Sequence, residues 1–154
     1  MLKIIMVIKM NENTELLMHI YQSAEMGVYT TTNLLDLLKN KDNKIKPILQ
    51  SELKKYEKYA KLSEEYLEKF DVEAKSSGIM AKLGSDIGMS IETMNDNSDA
   101  RIAAMLIEGM TMGVLEMTGK IRLYQKMCKK DVIKLAEDLK LFQENEIEKL
   151  KIYV

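Results

Sequence analysis

The side chains able to do chemistry are few in kind. There is one histidine, His19, and one cysteine, Cys128. No Glu-x-x-His, no Cys-x-x-Cys and no Cys/His metal spacing occurs. Nor is there a Gly-rich phosphate loop, or a nucleophile set beside a base. At about 100° per residue, His19 falls nearly opposite the apolar face of its helix and reads as a surface histidine. Cys128 has no partner for an intramolecular disulfide and falls in an inter-helix loop, where it reads as an incidental free thiol. A cytoplasmic protein is the simplest expectation. Glu116 lies on the same side of its helix as Ile102 and Gly109. An inward carboxylate there must be protonated, hydrogen-bonded, paired or metal-bound, and pairing with a neighbouring Lys or Tyr hydroxyl is the expected arrangement. Met80, Met89, Met94, Met105, Met110, Met112 and Met117 crowd one region. Copper(I) would need two or three converging thioethers; filling an irregular core is the simpler use.

Positioning any of these groups falls to helices. The chain is rich in Leu, Ile, Met, Lys and Glu, with one proline, a composition that favours helix. Leu17, Ile20, Ala24, Gly27, Thr31, Leu34 and Leu38 recur at three- and four-residue steps, which predicts a helix over 14–38 capped by Asn13 or Thr14. Pro47 suits a first helical turn. From there Leu49, Leu53, Tyr56, Ala60, Ser63, Leu67 and Phe70 predict a helix over 47–70, antiparallel to the first. After a loop carrying Ser76, Ser77 and Gly78 comes a shorter amphipathic helix over 79–94, with Ile79, Leu83, Ile87 and Ile91. Its Gly84 and Gly88 leave a flat strip where another helix could approach. Asn95 to Ser98 stop it and cap a helix over 99–125. A last helix is expected over 131–151.

Charge and hydropathy narrow the class. With 23 basic against 24 acidic residues no polybasic field argues for nucleic acid. The interleaved Glu and Lys read as solvated helix faces. The segment 102–117 is apolar almost all round, which predicts a central helix; it reads as too short and too acidic at its middle to span a membrane, so no membrane partner is expected. MLKIIMVIK at 1–9 is too short for a signal peptide or a span. It reads as a tail from an upstream start codon, the alternative being a short docking segment, with Met10 opening the single domain over 10–154.

A shift of 86 residues aligns the two halves without a gap. Met26-Gly27-Val28 falls on Met112-Gly113-Val114, Leu49 on Leu135, Leu53-Lys54 on Leu139-Lys140 and Tyr56 on Phe142. Two duplicated hairpins joined by a helical crossover then form a pseudo-symmetric four-helix bundle.

Here the chain resembles the ferritin-like superfamily, and more narrowly small uncharacterised ferritin-like proteins of Firmicutes. The residues that carry the resemblance are 24–28, Tyr56-Glu57, 102–105 leading to 112–114, and 146–151. It covers about residues 11–153. The resemblance implies an all-α ferritin-like bundle. Di-iron members of that superfamily take one Glu each from the first and third bundle helices and a Glu-x-x-His from each of the others. Here Glu57 and Ala60 occupy one such pair of places, and Gln143 and Glu146 the other. Both histidines are missing, and no di-iron centre or other cofactor is expected. If a metal binds, the resemblance points to Glu25, Glu57, Glu116 and Glu146, with Glu108 a further carboxylate nearby. The expected function is non-catalytic: a degenerate site in a bundle that self-associates as a homo-oligomer or binds a protein partner. The alternative is a carboxylate-only protein of iron or manganese that stores or oxidises iron. A weaker third expectation is a small apolar ligand held in a Met-lined interior.

Overall fold

A computed structural model of the chain describes residues 2–76 and 78–154, with side chains described from Glu12 onward, Ile79 excepted. Met1 of the expected tail, Ser77 of the expected loop and the Ile79 side chain of the expected third-helix stripe therefore lie outside the described residues. Among the described residues five α-helices follow one another: α1 (Leu2–Leu37), α2 (Lys46–Lys69), α3 (Gly78–Glu92), α4 (Asp99–Tyr124) and α5 (Lys130–Leu150), with a 3-10 turn at Lys151–Tyr153. No strand occurs among the described residues.

Four of the five helices have the bounds their periodicity predicts, within two residues. The exception is the start of α1, which begins at Leu2 and not near Thr14. No Pro or Gly interrupts residues 1–13, so nothing obliges the helix to stop. Asn13 also has a different task from the expected N-cap. It is buried within α1, and its side-chain oxygen accepts the Lys129 backbone N–H at 2.8 Å, where α5 begins. At α4 the expected cap is made: the Ser98 hydroxyl accepts from the Arg101 N–H. Helix α2 closes on Asp71, a left-handed residue with φ 56°. There the Val72 N–H reaches back to the Leu67 carbonyl and the Asp71 N–H to the Glu68 carbonyl. These two bonds satisfy carbonyls the helix end would otherwise leave bare.

The helices pack as two hairpins, α1 with α2 and α4 with α5. Cross-helix partners fix the directions. Gln143 bonds Tyr56, and the Tyr59 hydroxyl donates to the Asp138 carbonyl. As residue numbers rise on α2 they fall on α5, so these two are antiparallel. Tyr124 at the end of α4 donates to Glu15 in the N-terminal half of α1, while the α1–α2 loop meets the start of α4. Helices α1 and α4 are thus antiparallel too, which leaves α2 and α4 running the same way. That second junction is a polar staple: Asp99 accepts from the Asn43 side chain and the Lys44 N–H. The core between the hairpins is aliphatic, built from Leu16, Leu17, Ile20, Leu34, Leu49, Leu67, Ile102, Met117 and Leu139 among others.

One sequence expectation about packing is met within the chain, and another fails. Helix α3 lies on α1, and its Gly84–Gly88 strip is filled by the chain's own Tyr29: a Cβ on Gly88 would come within 2.5 Å of the Tyr29 hydroxyl. The strip is an intrachain contact. Helix α4 is not central. Ile102, Ala103, Leu106, Met110 and Met117 face the core, while Met112, Leu115 and Leu123 are 60%, 67% and 57% exposed. With α3 occupied on α1, nothing among the described residues covers that outer face.

Candidate functional site

The carboxylates named from sequence do not converge. Glu57 and Glu116 are exposed, so they do not meet across the core. Helix geometry explains both corrections. Glu57 is one residue, about 100°, past the inward Tyr56. Glu116 is displaced by the same angle from the inward Met117. Glu108 is exposed as well. Glu25 is half-buried at the rim of α1, where burial first, and then the charge of Glu64, raise its pKa. Only Glu146 is buried.

A second buried carboxylate, near enough to feel the charge of Glu146, lies outside the candidates drawn from sequence. Glu52 has no exposed surface at all. It stands three residues after Leu49 and four before Tyr56, squarely on the buried stripe of α2. That spacing was the available signal. Around it lie Tyr56, whose hydroxyl accepts from the Gln143 amide at 3.2 Å, and Phe142, which meets the Tyr56 ring edge-on at 5.1 Å. Glu146 is paired with Lys149 at 2.9 Å. Neither Glu52 carboxylate oxygen has a hydrogen-bond partner among the described residues. Its pKa is pushed up to about 8, first by burial and then by the charge of Glu146, against a smaller opposing pull from Lys149. At neutral pH Glu52 therefore carries its proton, which is how an unpaired carboxyl is tolerated in a core. The buried Tyr56 hydroxyl is likewise raised, chiefly by burial.

Among the described residues, no group of three or more His, Cys, Asp or Glu side chains gathers closely enough to hold a metal ion. The ligand set implied by the ferritin-like resemblance therefore does not fit a di-iron centre: two of its four carboxylates face solvent, and Ala60 stands in one histidine place. His19 is half-buried, which corrects the surface reading. Its Nε2 is enclosed without a partner among the described residues, and its pKa is lowered by burial first and by nearby Lys120 next. It faces α4 near Glu116 and Lys120, a side that the helical wheel of α1 alone does not reveal. The Cys128 thiol is pushed up to about 11 by burial and by Glu12 and Glu15, so it is no thiolate at neutral pH.

The methionines divide. Met110 and Met117 are core, but Met89 and Met112 are largely exposed. Recesses open on the surface, two of them lined by described residues. One of about 450 Å³ is lined by Glu64, Glu68, Asp71, Val72, Glu73 and Ala74. One of about 240 Å³ lies between α2 and α5, beside Tyr59, Asp138 and Glu146. Neither is lined by methionine, so neither offers the Met-lined interior expected of an apolar-ligand binder.

The outer face of α4 is the other unusual feature. Arg101, Met105, Glu108, Met112, Leu115, Gly119 and Arg122 follow one another at alternating four- and three-residue steps, the spacing of a helix–helix seam. All but half-buried Met105 are exposed. At 26 residues α4 is also long and apolar enough, by length and composition, to cross a membrane. The reading of it as too short is corrected to that extent.

No family model, no curated protein and no solved structure matches the chain.

Proposed function

We propose that this chain is a non-catalytic, ferritin-like helical bundle that works by self-association through the outer face of α4. The observation that carries the reading is the exposed seam of Met112, Leu115 and Leu123 on a helix whose opposite face packs into the core. Large apolar side chains contiguous on a surface mark an interaction site. The loss of both histidine places and the dispersal of Glu57 and Glu116 to solvent support the non-catalytic half of the reading. Support for two duplicated hairpins comes from their glycines: Gly27 lies against Tyr56 in one, and Gly113 against Gln143 in the other. The 86-residue offset would give Phe142, one position away. Size-exclusion chromatography with light scattering on untagged protein tests self-association. A mass of at least two chains is expected; a monomer at every concentration overturns the proposal.

The competing reading, a carboxylate-only iron or manganese protein, has one specific observation behind it: the unpartnered Glu52 beside Glu146. Against it stands the pairing of Glu146 with Lys149 and the lack of a third ligand among the described residues. Titration of the untagged protein with iron(II) or manganese(II) separates the two. Stoichiometric binding that Glu52→Gln and Glu146→Gln both abolish would establish the metal reading.

A further inference from the structure

We propose that two copies of the chain dock α4 against α4 in antiparallel fashion, about a two-fold axis passing between Leu115 and Gly119. This rests on the self-association proposed above and specifies its geometry. The face is self-complementary in one direction only. Toward its N-terminal end it carries the acidic Glu108, with Arg101 two turns earlier; toward its C-terminal end it carries Arg122, with Lys126 in the turn just beyond α4, all exposed. Among the described residues none of these four is in an ion pair within its own chain. About this axis, Arg101 falls past the end of the other copy's α4. A parallel pairing would stack Glu108 on Glu108 and Arg122 on Arg122, and like charges set opposite each other repel. The antiparallel pairing brings Glu108 of each chain over the turn carrying Arg122 and Lys126 of the other, twice by symmetry.

Shape points the same way. Leu115 is the most exposed large apolar side chain on α4. Gly119, one turn on, has open space where a Cβ would stand: apart from its chain neighbours and the adjoining backbone of α4, no atom of the described residues comes within 4 Å. With the axis between them, Leu115 of each copy seats in the gap left by Gly119 of the other. Met112 then lies along the aliphatic stem of Arg122, a side chain that covers apolar surface while keeping its charge in water. The seam follows the alternating four- and three-residue spacing that lets two helices interlock over several turns.

Sedimentation equilibrium on the untagged full chain and a set of surface variants tests the geometry. Gly119→Met fills the gap at a position that is open in the single chain, so the fold is retained while the dimer weakens by at least tenfold. Glu108→Lys and Lys126→Glu should each weaken the dimer severalfold, and the double variant Glu108→Lys/Lys126→Glu should recover much of the loss. Helical circular dichroism on each variant confirms folding. A dimer indifferent to Gly119→Met and not rescued by the charge swap would overturn this geometry and leave self-association standing. A chain monomeric at all concentrations would overturn both. So would a monomer that binds phosphatidylcholine–phosphatidylglycerol vesicles through α4, because the face would then belong to a lipid surface.

Discussion

Glu52 is the residue at which folding and ionisation pull hardest against each other. Its folded-state pKa of about 8 stands above the ordinary 4.5. Between those values the folded chain holds a proton that the unfolded chain has lost. Stability therefore falls as pH rises through that window and levels off above about pH 8. Every tenfold difference in proton affinity between the folded and unfolded chain corresponds to about 1.4 kcal/mol, so the full loss is on the order of 3–5 kcal/mol. Glu52→Gln keeps the shape and removes the titration. Urea unfolding should find the variant close to the parent near pH 5 and more stable by about 2–4 kcal/mol near pH 8.5. A parent whose stability is flat across that range would contradict the buried, protonated carboxyl.

At the scale of elements, two backbone positions make opposite predictions. A Cβ on Gly27 would run into the Tyr56 ring, which is itself fixed by Phe142 and Gln143. Gly27→Ala should cost about 1–3 kcal/mol through overpacking, although alanine is the better helix former. Asp71 holds a left-handed conformation at the end of α2, where glycine is at ease. Asp71→Gly should raise stability by about 0.5–1 kcal/mol. Thermal unfolding of both variants checks the pair.

The helices themselves were legible because apolar residues recur at helical steps and because Pro47 and Ser98 mark starts. The start of α1 was not legible, since Asn13 looks like a cap until the Lys129 N–H that it serves is seen across the fold. Facing was legible only in part. The stripe through Leu49, Tyr56 and Ala60 is evident from its apolar members, whereas Glu52, sitting on the same stripe, is hidden by its charge. On α4 the error ran the other way. A helix apolar on every side looks central, yet only a tertiary fact, the packing of α3 against α1, decides which side lacks a cover. His19 shows the same limit, for what encloses it comes from α4 and not from its own helix.

At the scale of the molecule, a core in which the described residues gather no ligand set is joined to a surface whose α4 seam no described residue covers. Leu115→Glu places a charge at the centre of that seam, on a side chain already 67% exposed. The single chain should tolerate it within about 0.5 kcal/mol, as surface substitutions generally are tolerated, while docking should be abolished. Sedimentation velocity of the untagged parent and of Leu115→Glu, over a wide concentration range, tests the self-association of this bundle through α4 most directly. The expected result is a parent that sediments as two chains and a variant that sediments as one, with equal helical content. A parent that stays monomeric throughout, or a variant that associates as the parent does, would contradict it.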